Sequence, residues 1–317
     1  MYSASSVSRH PARLSHYLVS KRSLALLALL LLLCLPWVSA QAGQPFLWQL
    51  EHNGRSHYLF GTIHSGHPEL NQLPASVEKA FNQADRFYGE LTLDPPTLQT
   101  TQQLLQLPPG RSLSSSLPPK LRQRSNQELA RINPNLNLAL FDRLKLWAFT
   151  VALTLIEDQL NYGQQPAMDQ RLYQRALQAG KKTGALETPQ QQVGVFEQLS
   201  FAEQIAMLEA TLDSLAQQTK ENSWMQQTYA AYRSGDPDQL NSLFETQWQL
   251  DDKILQKLER GLIDNRNRLM AQRVEQELRA HPQQSLFIAI GAAHFGSENG
   301  VQALLQRSGY SVSRVID

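Results

Sequence analysis

Two histidines stand in the same short frame near opposite ends of this chain, in Gly61-Thr62-Ile63-His64-Ser65-Gly66 and Gly291-Ala292-Ala293-His294-Phe295-Gly296. Each frame follows an apolar run, Tyr58-Leu59-Phe60 before the first and Leu286-Phe287-Ile288-Ala289-Ile290 before the second. A strand that ends in glycine and then presents an imidazole can aim that ring into a cleft, because glycine permits a backbone turn that a side chain would obstruct. Neutral imidazole is a ligand for a divalent ion and also a general base near neutral pH. One such histidine is as readily a hydrogen-bonded loop residue. Two copies, each after a strand, predict one shared site if the strands are neighbours in a sheet.

Glu90 is the third candidate, at the end of the run Arg86-Phe87-Tyr88-Gly89. As a solvent-facing strand residue it needs no role; beside the histidines it completes a donor set. Two imidazoles and a carboxylate hold an ion such as Mn²⁺, Co²⁺ or Zn²⁺ with positions left open for water and substrate. The same three groups also work without metal, with histidine as base and glutamate as its orienter. Arg266 and Asn267 share a late helical face with Met270. Either can steady an oxyanion, although by spacing Arg266 is one more surface arginine beside Arg260, Arg268 and Arg273. Asp169 opens a helix, where an acidic side chain suits the helix dipole, and Glu187 ends the short run Ala185-Leu186-Glu187. His67 reads as a solvated loop residue, His52 and His57 as exposed flanks of the Asn53-Gly54 turn, and His281 has no role. No phosphate-binding glycine loop, H-E-x-x-H or G-x-S-x-G string occurs, so those enzyme classes lose their main support.

The first forty residues read as an export signal. Arg9, Arg13, Lys21 and Arg22 precede an apolar run from Leu24 to Leu35, and Val38-Ser39-Ala40 predicts cleavage before Gln41. The apolar core is about 12–15 residues, short of the roughly 20 that a membrane span needs. The rival is an uncleaved leader kept as an anchor, the only membrane contact expected. Removal of the leader takes four basic residues and no acidic ones, so the formal charge goes from +1 to about −3. It also removes Cys34, the only cysteine, and with it any disulfide, thiolate ligand or cysteine nucleophile. The mild charge, spread without long blocks, argues against nucleic acid as the main partner; a peptide or small molecule, met in the periplasm or outside the cell, is the expected substrate.

The elements that must position these residues fall in three regions. Residues 41–95 pattern as strand, hairpin turn, strand, helix (Pro74–Ala84) and strand. Residues 96–282 pattern as a glutamine-rich helical insertion, with helices predicted over Pro118–Ile132, Phe141–Leu160, Met168–Ala179, Phe201–Gln218, Ser223–Ser234 and Asp236–Glu245. Thr246–Arg279 carries apolar residues at irregular helical spacing, and Thr183–Glu187 reads as a short interruption that adds a strand to the sheet. Residues 283–317 return to strand, helix (Val301–Ser308) and a final strand over Tyr310–Ile316. The expected fold is α/β (α+β), one domain over 41–317 whose mixed central sheet is built from both ends of the chain.

In order and spacing these residues resemble the TraB/GumN family, which includes the Tiki proteins. The resemblance runs through Leu47-Trp48, Tyr58 to His64, Ala84-Asp85 leading to Glu90, Met168-Asp169, Gly180-Lys181-Lys182, Leu186-Glu187-Thr188, Arg266 to Met270, Gly291 to Gly296 and Gly309 to Val312. It covers nearly the whole mature chain. It implies an α/β core with a helical insertion, related to erythromycin esterase and haem-binding ChaN-like folds. For Tiki-like members it implies a metal-dependent protease whose metal-binding roles fall on His64, His294 and Glu90, with Arg266 and Asn267 in support. Phe295 departs from the aliphatic residue common in the family, a swap the fold should tolerate. The expectation is therefore an exported metal-dependent hydrolase that cuts a peptide bond. Its rivals are a haem or small-ligand carrier with Tyr88 or His67 as an exposed axial ligand, and a metal-free esterase-like hydrolase with His64 as base.

Overall fold

Asn53 and Gly54 both adopt left-handed backbone, at φ 51° and 70°, the geometry that a two-residue hairpin turn requires. They join β1 (Leu47–His52) to its antiparallel partner β2 (Arg55–Thr62). This computed structural model describes residues 44–316 apart from 71, 220–221 and 248–249, together with all side chains in that range except those of 244–247. The export signal and cleavage site expected from the sequence fall outside the described residues. After β2 come α1 (Ala75–Gln83), β3 (Arg86–Gly89), α2 (Pro95–Leu105), α3 (Leu113–Ser116), α4 (Pro119–Ile132), α5 (Leu146–Tyr162) and α6 (Met168–Gln178). β4 (Lys182–Ala185), α7 (Pro189–Glu197), α8 (Phe201–Gln217), α9 (Trp224–Ser234), α10 (Pro237–Gln247) and α11 (Asp252–Glu259) follow. The chain ends with α12 (Asn265–Ala280), β5 (Leu286–Gly291), α13 (Val301–Arg307) and β6 (Ser311–Arg314). The predicted helices and strands are all present, with ends displaced by a few residues; Phe141 falls in a short 3₁₀ turn ahead of α5.

The six strands form one mixed sheet in the order β4-β3-β5-β2-β1-β6. β4, β3, β5 and β2 are mutually parallel, whereas β1 runs antiparallel to both β2 and β6. The decisive feature is the place of β5, which returns from the far end of the chain and inserts between β3 and β2. Its side chains alternate between two cores. Leu286, Ile288 and Ile290 pack under α12 and α13 with Met270, Val274 and Leu305. Phe287 and Ala289 pack on the other face with Val77 and Phe81 of α1, Leu172 of α6 and Tyr229 of α9. A strand apolar on both faces is what a parallel sheet covered by helices demands. The helical insertion keeps two cores of its own, one among α3, α4, α5 and α8, the other joining α5, α7, α8 and α11. Among the described residues no helix is long and apolar enough to cross a membrane.

Two expectations for strand residues need correction. His57 is 1% exposed: strand alternation puts it on the face of Leu59, and its Nδ1 accepts the Leu286 N–H at 3.2 Å. Its Nε2 has no partner, and burial, helped by nearby His52, pushes its pKa down to about 4. The unfolded chain, with its value of 6.5, therefore binds the proton first as pH falls. The stability from a neutral His57 is complete above pH 6.5 and is lost toward pH 4. In urea melts His57→Asn should remove on the order of 3 kcal/mol of that acid-side decline; an unchanged slope would contradict the assignment. Tyr88 likewise is not an exposed ligand for haem, being 2% exposed and donating its hydroxyl to Glu277.

The irregular spacing over 246–279 also has a structural cause. Between α11 and α12 the chain makes a π-helical turn, Arg260–Asp264, whose wider winding shifts the apolar face out of phase. That turn brings Leu262 and Ile263 to the same cavity that Arg266 lines one turn later.

Candidate functional site

Four candidate side chains come from the carboxyl ends of four consecutive parallel strands. Thr62 of β2 is in register with Gly291 of β5, so the two G-x-x-H frames leave the sheet side by side, and His64 and His294 follow them. Glu90 is the residue after β3. Glu187 lies two beyond β4, and the β3–β4 pairing continues through the Glu187 N–H to the Glu90 carbonyl at 2.9 Å. The carboxyl edge of parallel strands is where open α/β sheets build their sites, since loops diverge there and leave a crevice.

The groups converge on Gly291. A Cβ at that position would lie 3.1 Å from Glu90 Oε1, 3.6 Å from His294 Cδ2 and 3.9 Å from His64 Nε2; glycine keeps the space open. The Gly291 N–H donates to Glu90 Oε1 at 2.6 Å, and His294 Nε2 stands 4.0 Å from the same oxygen. Both imidazoles are held through their other nitrogen. His294 Nδ1 meets Asn267 Oδ1 at 2.6 Å, and because Asn267 Nδ2 donates to the Asn299 carbonyl, Oδ1 is the acceptor and His294 Nδ1 carries the hydrogen. His64 Nδ1 lies 3.1 Å from Asp169 Oδ1, within ion-pair distance, and the Asp169 carboxylate holds that side of the ring. Fixing Nδ1 in this way leaves Nε2 as the free donor atom on each ring, the arrangement typical of metal-ligating histidines.

Arg266 is buried, not a surface arginine. Its guanidinium donates from Nη2 to Glu90 Oε2 at 2.6 Å and Glu187 Oε2 at 2.7 Å, and from Nε to Glu187 Oε1 at 2.9 Å. Gln192 of α7 adds a bond to Glu90 Oε2 at 2.9 Å. Burial opposes ionisation of Glu90, but the Arg266 charge, then His294, His64 and the Gly291 N–H, overcome it and hold the carboxyl well below its usual range. Glu187 is shifted upward by burial, against the Arg266 bonds. His294 is pushed down to about 3 by burial and by Arg266, so it is neutral. His64 is raised to about 9, chiefly by the Asp169 charge and against burial. Although closely surrounded by protein, its ring is 54% exposed because it faces a cavity of about 580 Å³.

These charges bear on an ion. Asp169, Glu90 and Glu187 bring three formal negative charges close to Arg266 and His64, and the charges of Asp169, first, and Glu90 raise the proton affinity of His64 against the opposing charge of Arg266. A divalent cation would offset these carboxylates. Among the described residues no three His, Cys, Asp or Glu side chains already stand at the mutual spacing of a coordinated ion. The donors therefore fit an ion in type and direction, without forming a closed shell.

Sequence reasoning missed three contributors. Asp169 has a local explanation in its helix and Glu187 in its strand end, yet Glu187 stands two residues past β4, beside the Glu90 that directly follows β3. The third is a buried cluster behind His64. The Ser65 hydroxyl donates to Asp158 Oδ1 at 2.9 Å, Tyr229 bonds the same oxygen, and the Met168 N–H donates to the Ser65 carbonyl at 3.2 Å. His67 is not a solvated loop residue; its ring packs 4.6 Å from both Tyr162 and Tyr229. Asn267 is spent at both ends on His294 and Asn299, so it positions the ring. The Phe295 swap is accommodated, for the ring is fully buried and stacks on Trp48 at 4.3 Å.

The model of the TraB/PrgY/gumN family matches residues 46–314. Metalloprotease TIKI1 of Danio rerio is 28% identical over 313 residues, covering 84% of this chain and 62% of the relative. Metalloprotease TIKI2 of Danio rerio is 28% identical over 321 residues, covering 87% and 62%. Metalloprotease TIKI1 of Homo sapiens is 28% identical over 311 residues, covering 84% and 61%. The chain thus spans about three-fifths of the length of these curated relatives. No solved structure matches it significantly.

Proposed function

This chain belongs to the TraB/PrgY/gumN family, and from that premise and the geometry above we propose that it is an exported metal-dependent peptidase. The observation that carries the reading is the pair of imidazoles at adjacent strand ends, each tied at Nδ1 and free at Nε2, beside the ionised Glu90. His64, His294 and Glu90 would hold the ion. A divalent cation there supplies Lewis acidity and makes water a competent nucleophile at neutral pH. Arg266 holds Glu90 ionised and presents a fixed positive charge at the cavity wall, where a developing oxyanion gains from it. Asp169 keeps the His64 ring turned, and Asn267 does the same for His294. The metalloprotease names of the relatives support the reaction class, and the leader supports export.

Protein purified without chelator should contain close to one equivalent of a transition metal and cut unstructured peptides. Chelation should abolish cleavage, and His294→Ala should lower both metal content and rate by a factor of about 10² or more. Wild-type metal content and rate in both His64→Ala and His294→Ala would overturn the assignment. The contact of His64 with Asp169 also suits a metal-free general acid or base; chelator-resistant cleavage that still needs His64 would favour that reading.

A further inference from the structure

The cavity beside the site is far more apolar than a catalytic crevice needs to be. Val151, Leu240, Leu255, Leu258, Leu262 and Ile263 form its walls, and His64, Gly291 and Arg266 line it as well. Its volume of about 580 Å³ falls within the ~300–1,000 Å³ usual for ligand pockets. Leu258 and Leu262 also pack into the core shared by α5, α7, α8 and α11, but among the described residues Leu255 and Ile263 belong to no core cluster. They are only half-buried and face the cavity. Apolar side chains held by the π-helical turn and α11, beside the reacting groups and outside the core clusters formed by the described residues, are placed to meet a ligand. Exposed carboxylates of Asp252 and Glu259 share the lining.

We propose that this cavity receives a branched aliphatic or aromatic side chain of a peptide substrate, from the residue next to the bond that is cut, and that Leu255 and Ile263 set this preference. The proposal rests on the peptidase reading above. Burying such a side chain from water favours it by a factor of about 10 to 100 over glycine, and an acidic side chain in its place would lose its hydration against the apolar walls.

The test uses the full metal-loaded protein and capped pentapeptides that differ at one position, Leu, Phe, Gly or Asp. Leu and Phe peptides should be cut with kcat/KM about 10- to 100-fold above Gly, and Asp should be poorest. Leu255→Asp and Ile263→Asp, checked for folding by thermal melts, should bring the Leu-to-Gly ratio within about threefold. Leu177→Asp, at an exposed leucine outside the cavity, should leave the ratio as it is. A second arm measures binding of the same peptides to His64→Ala by calorimetry. Cleavage without regard to the varied residue would overturn the cavity assignment and leave the peptidase reading standing. No cleavage, with Leu and Phe peptides bound more tightly than Gly, would do the reverse. Neither cleavage nor selective binding would overturn both.

Discussion

Replacing Arg266 with methionine should destabilise the fold by about 3–5 kcal/mol at neutral pH, the effect of breaking a buried ion pair on one side only. Methionine fills much of the same space but leaves Glu90 and Glu187 without the cation that both oxygens of Glu187 and one of Glu90 now face. The pH dependence carries the diagnosis. Without Arg266 both carboxyls are easier to protonate folded than unfolded, so their folded pKa values rise above the unfolded value of 4.5. The deficit is then full above those raised values and shrinks as pH falls toward 4.5. Thermal melts should show the variant regaining stability relative to wild type on acidification. Arg266→Lys should recover only part of the loss, because one ammonium cannot reproduce the fork that spans two carboxylates. Adding Glu187→Gln to Arg266→Met should recover more, by removing one of the stranded charges. A loss below about 1 kcal/mol, the scale of an exposed pair, would show that these carboxylates are satisfied by water.

How far the site was legible depended on the kind of signal each residue carries. His64 and His294 announce themselves through a repeated frame after apolar runs, and the strands that deliver them were readable from alternation and glycine punctuation. Their adjacency was not, because strand order depends on how the helical insertion brings β5 back between β3 and β2. Periodicity says which face of a strand is apolar, but not which strand lies next to it. Asp169 was opaque for another reason: an acidic residue in the first turn of a helix already has a local explanation, and only the loop carrying His64 gives it a second. Arg266 was hidden by its arginine-rich neighbours and by a π-helical turn that breaks the spacing used to find its buried face. His57 is the reverse case. Its shared parity with Leu59 pointed inward, and proximity to the turn was the weaker guide.

Asp169→Asn should separate two effects that its carboxylate exerts on His64. In the metal-free protein that charge raises the His64 pKa to about 9, so at neutral pH a cation must displace a proton to reach Nε2. Wild-type affinity for Zn²⁺ should therefore climb about tenfold per pH unit and level off near pH 9. In the asparagine variant the ring titrates closer to its ordinary 6.5, so the curve levels off earlier. Against this, a carboxylate behind a ligating histidine raises the ligand's basicity and fixes its orientation, and its loss weakens binding about 10- to 100-fold. Near pH 7 the two changes oppose each other, since freeing the ring from its proton is worth up to about 100-fold over two pH units. The variant should then bind Zn²⁺ about as well as wild type at pH 7 and about 10- to 100-fold more weakly at pH 9, read by competition with a chromophoric chelator. Parallel curves at every pH would mean that Asp169 supports the loop without sensing the charge on His64. Coincident curves would remove Asp169 from the site. Convergence at neutral pH and divergence in alkali is the result expected if one carboxylate both orients the imidazole and sets how tightly it keeps its proton.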